Sequence, residues 1–343
     1  MRISVFNKQF EIEELLRVKR VIFQVALQPG KIWNFLKVNY SLKKRKVIVD
    51  GLPIVINIEP TVRCNMNCAF CPPVLNKLKH SKGDMDFELY KKIIDELGNK
   101  LLFLNLYNYG EPLLHKNITD MVSYAKSKGI LVCINTNMLA LNNEIAEGLL
   151  KAKLDYMIIS LNGATADVYS KYQSSKENFE KVLSNLRMLL KLRGKRKYPF
   201  VDIQFVVMRE NEHQILDMKK LVEEIGADKL SFKKFIYKPT DENSEAIKNL
   251  MPKNKDYAHF ADETSPCYRA FNSAIIEYDG TVRPCCADIE QHFNMGNVRE
   301  KDFKSIWNND KYQQFRRQVL KDISKISICK TCTTRGFSND IYL

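Results

Sequence analysis

Between residues 53 and 235 the chain alternates two hydrophobic patterns. Short, nearly continuous apolar runs predict buried strands at 53–59 (PIVINIE), 101–107 (LLFLNLY), 130–135 (ILVCIN), 155–161 (DYMIISL), 200–208 (FVDIQFVVM) and 229–235 (KLSFKKF). Stretches with apolar residues three and four apart predict helices at 87–97, 118–129, 143–152, 177–192 and 214–226. Strict strand–helix alternation implies a parallel sheet. The expected fold class is α/β, a partial (β/α)6 TIM-like barrel; an open doubly wound sheet has the same pattern.

The flanks differ. In residues 1–50 a helical apolar pattern (Leu15, Leu16, Val18, Ile22, Phe23, Val25, Ala26) stops at Pro29-Gly30, and a second helix with Trp33, Phe35, Leu36 and Val38 runs into the basic stretch 43–46. This helical N-terminal segment reads either as a cover for one end of the barrel or as an interfacial amphipathic element. After residue 240 the alternation ends. A β-hairpin turning at Asp279-Gly280 is expected, then two short helices. The expected division is therefore 1–50, 51–240 and 241–343.

No apolar run approaches the ~18 residues of a membrane-spanning helix, and the first residues carry acidic groups where a secretory signal would be apolar, so a cytoplasmic protein is expected, with peripheral membrane attachment as the variant. The net charge of +14 suits an acidic electron donor, an anionic substrate or a membrane surface, and equally a solvated lysine-rich face.

Nine cysteines in such a chain point to metal rather than disulfides. Cys64, Cys68 and Cys71 form C-x3-C-x2-C directly after the first predicted strand. Three thiolates in one loop can wrap a metal cluster and leave a position open, whereas zinc usually recruits four protein ligands in paired C-x2-C units. Downstream, Cys267, Gly280 and Cys285 form C-x12-G-x4-C, and Cys329-x2-Cys332 follows. That makes a four-thiolate cage suited to zinc or to iron–sulfur. The G-x4-C spacing selects Cys285, strand alternation lets only one of Cys285 and Cys286 face the cage, and Cys133 reads as a small buried hydrophobe.

The first motif, with Phe70 before its third cysteine, resembles the radical S-adenosylmethionine (SAM) superfamily, and the resemblance covers most of the chain after residue 53. It implies that Cys64, Cys68 and Cys71 hold a [4Fe-4S] cluster whose free iron binds SAM. Tyr109-Gly110-Glu111-Pro112 is similar to that family's GGEP segment, with Tyr replacing the first Gly. Asn135-Thr136-Asn137 is similar to its TNG segment. Ser160-Leu161-Asn162-Gly163 is similar to S-L-D-G, with Asn162 where Asp is common. Residues 207–211, ending at Asn211, resemble another SAM-facing segment. By resemblance, Phe70, Tyr109, Gly110, Glu111, Asn135, Asn137, Ser160, Asn162 and Asn211 are the expected SAM contacts. Taken one by one, such polar residues also cap helices.

The C-terminal pattern, with Gly296-Asn297-Val298 and Ser305-Ile306-Trp307, resembles the SPASM and shorter twitch extensions of the same superfamily. No cysteine follows Cys332, which implies one auxiliary [4Fe-4S] cluster held by Cys267, Cys285, Cys329 and Cys332, as in that superfamily's aminocyclitol dehydrogenases. The implied activity is reductive cleavage of SAM to a 5′-deoxyadenosyl radical, hydrogen abstraction, and two-electron oxidation of a hydroxylated small molecule or sugar. The alternatives are peptide maturation and modification of a lipid or lipid-linked sugar at a membrane. The implied partners are an acidic donor such as flavodoxin or ferredoxin and a small-molecule or peptide substrate, not nucleic acid. Tyr107, Tyr109 and Lys234, at strand ends, are expected near a substrate pocket.

Overall fold

The computed structural model describes residues 28–71, 74, 83–173, 175–235, 245–257, 267–289, 291–329 and 332, and the backbone of 2–5, 8–11, 244, 330 and 340–341. Each expected apolar run contains a strand: β1 (Val55–Ile58), β2 (Phe103–Asn105), β3 (Leu131–Thr136), β4 (Tyr156–Ser160), β5 (Phe200–Val207) and β6 (Lys229–Lys234). They pair in parallel and in chain order. Buried Ile56, Leu104, Ile134, Ile159 and Ile203 knit the sheet to its helices; truncating one of these to Ala would cost about 2–5 kcal/mol.

The C-terminal hairpin joins this sheet. Strand β7 (Ser273–Ile276) lies parallel to β1, and β8 (Thr281–Arg283) and β9 (Gly296–Asn297) follow it antiparallel. At the far edge β10 (Asp340–Ile341) pairs antiparallel with β6. The order is β9-β8-β7-β1-β2-β3-β4-β5-β6-β10. The sheet is thus an unclosed partial barrel, and its open form brings the C-terminal extension beside β1.

Helix α1 spans Pro29–Lys43, α2 Phe87–Leu97, α3 Ile118–Ser127, α4 Asn143–Lys151, α5 Ala166–Tyr172, α6 Lys176–Arg193 and α7 Ile215–Ile225. Capping follows chemistry: Asp86 accepts from the Leu89 amide at the start of α2, and Gly226 ends α7 at φ 78°. Pro29-Gly30, read above as a break, opens α1. Proline's missing N–H is no loss at a first helical position. The seven-residue α5 was not anticipated, being too short to show a period. An antiparallel ribbon, Arg2–Val5 with Lys8–Glu11, was also not anticipated. The helix expected around Leu15–Ala26 lies outside the described residues.

The extension is bolted to the barrel by polar contacts. Glu96 of α2 accepts from the amides of Phe303 (2.9 Å) and Lys304 (2.8 Å), capping the helix Phe303–Trp307 from outside. Trp307 Nε1 donates to the Gly51 carbonyl at 2.9 Å. The buried Arg316 guanidinium stacks 4.2 Å from Trp307 and donates to the Ala270 carbonyl.

Candidate active site and metal centres

Strand β1 hands over to the three-cysteine loop. A β-bridge pairs Thr61 with Asp84, and Met85 N donates to Pro60 O at 2.7 Å. Arg63 forms a two-pronged bond to Asp84 (2.9 and 2.6 Å) and reaches the Leu114 carbonyl. The Ala69 amide bonds the Tyr172 carbonyl of α5, and Cys71 N bonds Cys68 O. The unanticipated α5 therefore holds the loop between Cys64 and Cys71. The backbone of Gly110 packs on this loop: a Cβ there would lie 1.9 Å from the Thr61 carbonyl oxygen. Only glycine permits that approach.

Cys64, Cys68 and Cys71 line a cavity of about 660 Å3 at the carboxyl ends of the strands. Of the nine expected SAM contacts, Phe70, Tyr109, Gly110, Glu111, Asn135, Asn137 and Ser160 stand on the same wall, with Tyr107. Asn162, Asn211 and Lys234 do not. Asn162 is buried, and its Oδ1 accepts from the Val206 amide at 2.7 Å. Asn211 Oδ1 accepts from Met208 N, and its Nδ2 donates to the carbonyls of Asn162 and Val206. Both side chains brace the loops after β4 and β5. Glu111 also braces: it accepts from Leu113 N and Thr136 Oγ1 on one oxygen and from Asn137 N on the other. Asn137 in turn donates to Asn65 Oδ1, beside Cys64.

The wall holds residues the motifs did not indicate: Asn57, Asn105, Asn108, Gln173, Gln204, Arg269, Asn272 and Cys286. Asn57 and Asn105 are register partners joined at 3.0 Å, Ser160 bonds Asn135 at 3.0 Å, and Ser160 lies opposite Gln204. The signal was present as single amides interrupting apolar strands, at inward positions of the period-two pattern.

Cys267, Cys285, Cys329 and Cys332 line a second space, of about 20 Å3, otherwise walled chiefly by Ala270, Ala287, Phe315, Ile323 and Ile328. Past the end of β8, Cys286 lines the large cavity and not the small one. Its Sγ accepts from Arg269 Nη1 at 2.9 Å, and its carbonyl accepts from Tyr109 Oη at 3.1 Å. Cys285 and Arg269 line both spaces. Tyr109, the departure from the family's glycine, thereby ties its segment to the turn carrying Cys285 and Cys286.

Electrostatics match the donor sets. Burial, then repulsion from neighbouring thiols, pushes Cys68 far above the ordinary thiol range; burial and Cys64 push Cys71 to about 11. Cys267 and Cys285 are raised as well. A metal that binds these thiols must displace their protons. Burial also raises Glu111 to about 7, against the opposing pull of its amide donors, and raises Glu59 to about 7.

Residues 58–222 match the model of the radical SAM superfamily, and residues 267–333 match that of SPASM, an iron–sulfur cluster-binding domain. Those domains imply one [4Fe-4S] cluster with SAM and an auxiliary cluster. The chain's residues fit both: three thiols on an open cavity, four around a closed apolar one. None of the nine cysteines is in a disulfide.

Among relatives, the chain is 24% identical to the antilisterial bacteriocin subtilosin biosynthesis protein AlbA of Bacillus subtilis, over 96% of this chain and 82% of that one. It is 27% identical to the S-adenosyl-L-methionine-dependent 2-deoxy-scyllo-inosamine dehydrogenase of Niallia circulans, over 83% and 94%. The crystal structure of BtrN in complex with AdoMet and 2-DOIA superposes with a TM-score of 0.55 at 20% identity, covering 85% of this chain and all of that one, a likeness of fold. With both domain models matched and both thiol sets assembled where those models lie, the chain belongs to the radical SAM superfamily of enzymes and carries a C-terminal SPASM domain.

Proposed function

We propose that this enzyme oxidises a hydroxylated small molecule, an aminocyclitol or sugar, by two electrons, with the auxiliary centre as the second electron's acceptor. One observation carries the reading. Five adjacent strands present Asn57, Asn105, Asn135, Ser160 and Gln204 to the cavity, a wall of neutral groups that both donate and accept hydrogen bonds. Such a wall suits vicinal hydroxyl and amine groups.

When bound, the [4Fe-4S] group supplies the electron that cleaves SAM to methionine and a 5′-deoxyadenosyl radical able to take a substrate hydrogen atom. The chain's own residues do the rest. Gly110 lets its segment pack against the backbone of the three-cysteine loop, and Glu111 and Asn137 hold the rim loops in register. The amide wall orients the substrate's C–H bond. Cys285 belongs to both the cavity and the cage, so the electron left behind has a short, dry route out of the substrate. An acidic donor such as flavodoxin or ferredoxin suits the chain's +14 charge.

A second reading, peptide maturation, is favoured by the full-length likeness to the bacteriocin biosynthesis protein. The test is anaerobic reconstitution with SAM, dithionite and ring-deuterated 2-deoxy-scyllo-inosamine. The expected result is deuterium in 5′-deoxyadenosine and a product lighter by two hydrogens. A peptide that stimulates SAM cleavage where the aminocyclitol does not would replace this reading by the second.

A further inference from the structure

Helix α1 turns three polar residues, Lys31, Asn34 and Ser41, toward the protein beside the buried Val38, while its largest apolar side chains face out. Lys31 is buried and donates to the Lys128 and Gly129 carbonyls (3.1 and 2.7 Å), satisfying the carboxyl end of α3. Asn34 is buried and uses both ends of its amide: Nδ2 donates to the Leu52 and Lys100 carbonyls, and Oδ1 accepts from Leu52 N at 2.8 Å. Ser41 donates to Asp50 and accepts from its amide. Three directional anchors therefore fix the helix's rotation.

That rotation turns Trp33, Leu36 and Tyr40 to the outside, 60%, 51% and 52% exposed. Spaced three and four apart, they form one stripe. Of the six large apolar side chains exposed among the described residues, five lie in 33–48, with Phe35 and Ile48 completing the set. Such concentration is the mark of an interaction surface, since scattered single exposures are the ordinary case.

The charges around the stripe are mainly positive, with Asp50, paired to Lys46 at 2.8 Å, the exception beside it. The helix holds no Asp or Glu. Lys37 stands 5.5 Å over Trp33, Lys46 stands 4.9 Å over Tyr40, and Lys43, Lys44 and Arg45 close the carboxyl end. Indole and phenol rings with lysines beside an aliphatic residue match the interfacial region of an anionic bilayer: rings at headgroup depth, Leu36 below, ammonium groups among lipid phosphates.

We propose that this face of α1 docks the enzyme on an anionic lipid surface. The anchors also set the orientation. Lys100, Lys128 and Leu52 immediately precede β2, β3 and β1, so α1 covers the amino ends of the strands, whereas the three-cysteine loop lies at the carboxyl ends. The docked barrel opens away from the bilayer. Attachment thus localises the enzyme while substrate enters from the aqueous side, which sets this contact apart from chemistry on a membrane-embedded lipid.

The test is flotation of the full-length protein with vesicles of phosphatidylcholine alone and of phosphatidylcholine mixed with phosphatidylglycerol. Alongside run the triple variant Trp33→Ser/Leu36→Ser/Tyr40→Ser and the charge variant Lys37→Gln/Lys43→Gln/Lys44→Gln. The expected result is flotation with the anionic vesicles, released by high salt and weakened at least about tenfold in each variant. None of these residues touches the cavity, so iron content and SAM cleavage stay at wild-type level, and the outcome is independent of the proposed oxidation. Three results would overturn the proposal: no flotation with anionic vesicles, flotation indifferent to the triple variant, or a concentration-dependent dimer that the triple variant abolishes.

Discussion

The two thiol sets sit on the same sheet, yet they are built for opposite purposes. The loop after β1 contributes three cysteines to the wall of a large cavity, among amides and hydroxyls; the extension contributes four to a space of about 20 Å3 walled mainly by Ala, Ile and Phe side chains. A group held by three thiolates and facing solvent keeps a position for an outside ligand. One held by four, in an apolar shell, has its coordination complete and can only exchange electrons. The difference teaches that ligand count and surroundings must be read together, since the thiol chemistry is common to both.

The comparison breaks most visibly if the loop is removed. Cys64→Ala/Cys68→Ala/Cys71→Ala should abolish 5′-deoxyadenosine formation, with iron falling from about eight to about four per chain. Cys329→Ala/Cys332→Ala should lose the same iron but keep SAM cleavage, losing only the oxidised product. Iron analysis and chromatography of the nucleoside read both. If the cage variant also fails to cleave SAM while still binding it, the division of labour is wrong.

A smaller change tests how tightly the loop is held. In Gly110→Ala the new Cβ would meet the Thr61 carbonyl at 1.9 Å, and a backbone oxygen cannot swing aside. The loop must shift, at a cost of about 1–3 kcal/mol. SAM affinity, measured by calorimetry, should fall about a hundredfold with cage iron unchanged. No such squeeze exists at Gly226, where a Cβ meets nothing within 4 Å.

Acidity sharpens the contrast further. Burial raises Glu111 from 4.5 to about 7, so the folded protein holds this proton more tightly than the unfolded chain. The unfolded chain then binds fewer protons between pH 4.5 and 7, and stability falls as pH rises through that window. The full effect is about 3 kcal/mol. Denaturant melts of the wild type should show this slope, and Glu111→Gln should show less of it. The variant also loses the acceptor for Asn137 N, so its SAM affinity should drop at every pH.

Much of this was legible in advance, for identifiable reasons. Parallel strands with one face packed on helices and the other lining the barrel interior still read as apolar runs, and three cysteines within eight residues are a compact motif. Preferring Cys285 over Cys286 rested on the G-x4-C spacing, because both residues lie past the end of β8. Asn162 and Asn211 show where that legibility ends. A loop after a strand needs amide-bearing residues both to brace itself and to bind a ligand, and one sequence serves either use until the acceptors are located. Arg269 escaped notice because nothing local to it signals a cavity. Strands far apart in sequence create it, above all β7, which joins the sheet beside β1 from more than two hundred residues away.

The smallest expected effect is also the one that bears on how the two regions communicate. Arg269 reaches both spaces and donates to Cys286, one residue from the cage ligand Cys285. A guanidinium there favours whichever state of the cage carries more negative charge, which is the reduced one. Arg269→Gln removes the charge while keeping a donor, so the auxiliary centre should become harder to reduce, its potential falling by on the order of 50 mV for a unit charge several ångströms away in a partly screened interior. A redox titration followed by electron paramagnetic resonance, in the Cys64→Ala/Cys68→Ala/Cys71→Ala background, isolates that centre from the other. If the potential stays put, Arg269 belongs to the cavity alone and acts on the substrate. If it falls, the cation between the two regions helps draw the electron from the open site into the closed one.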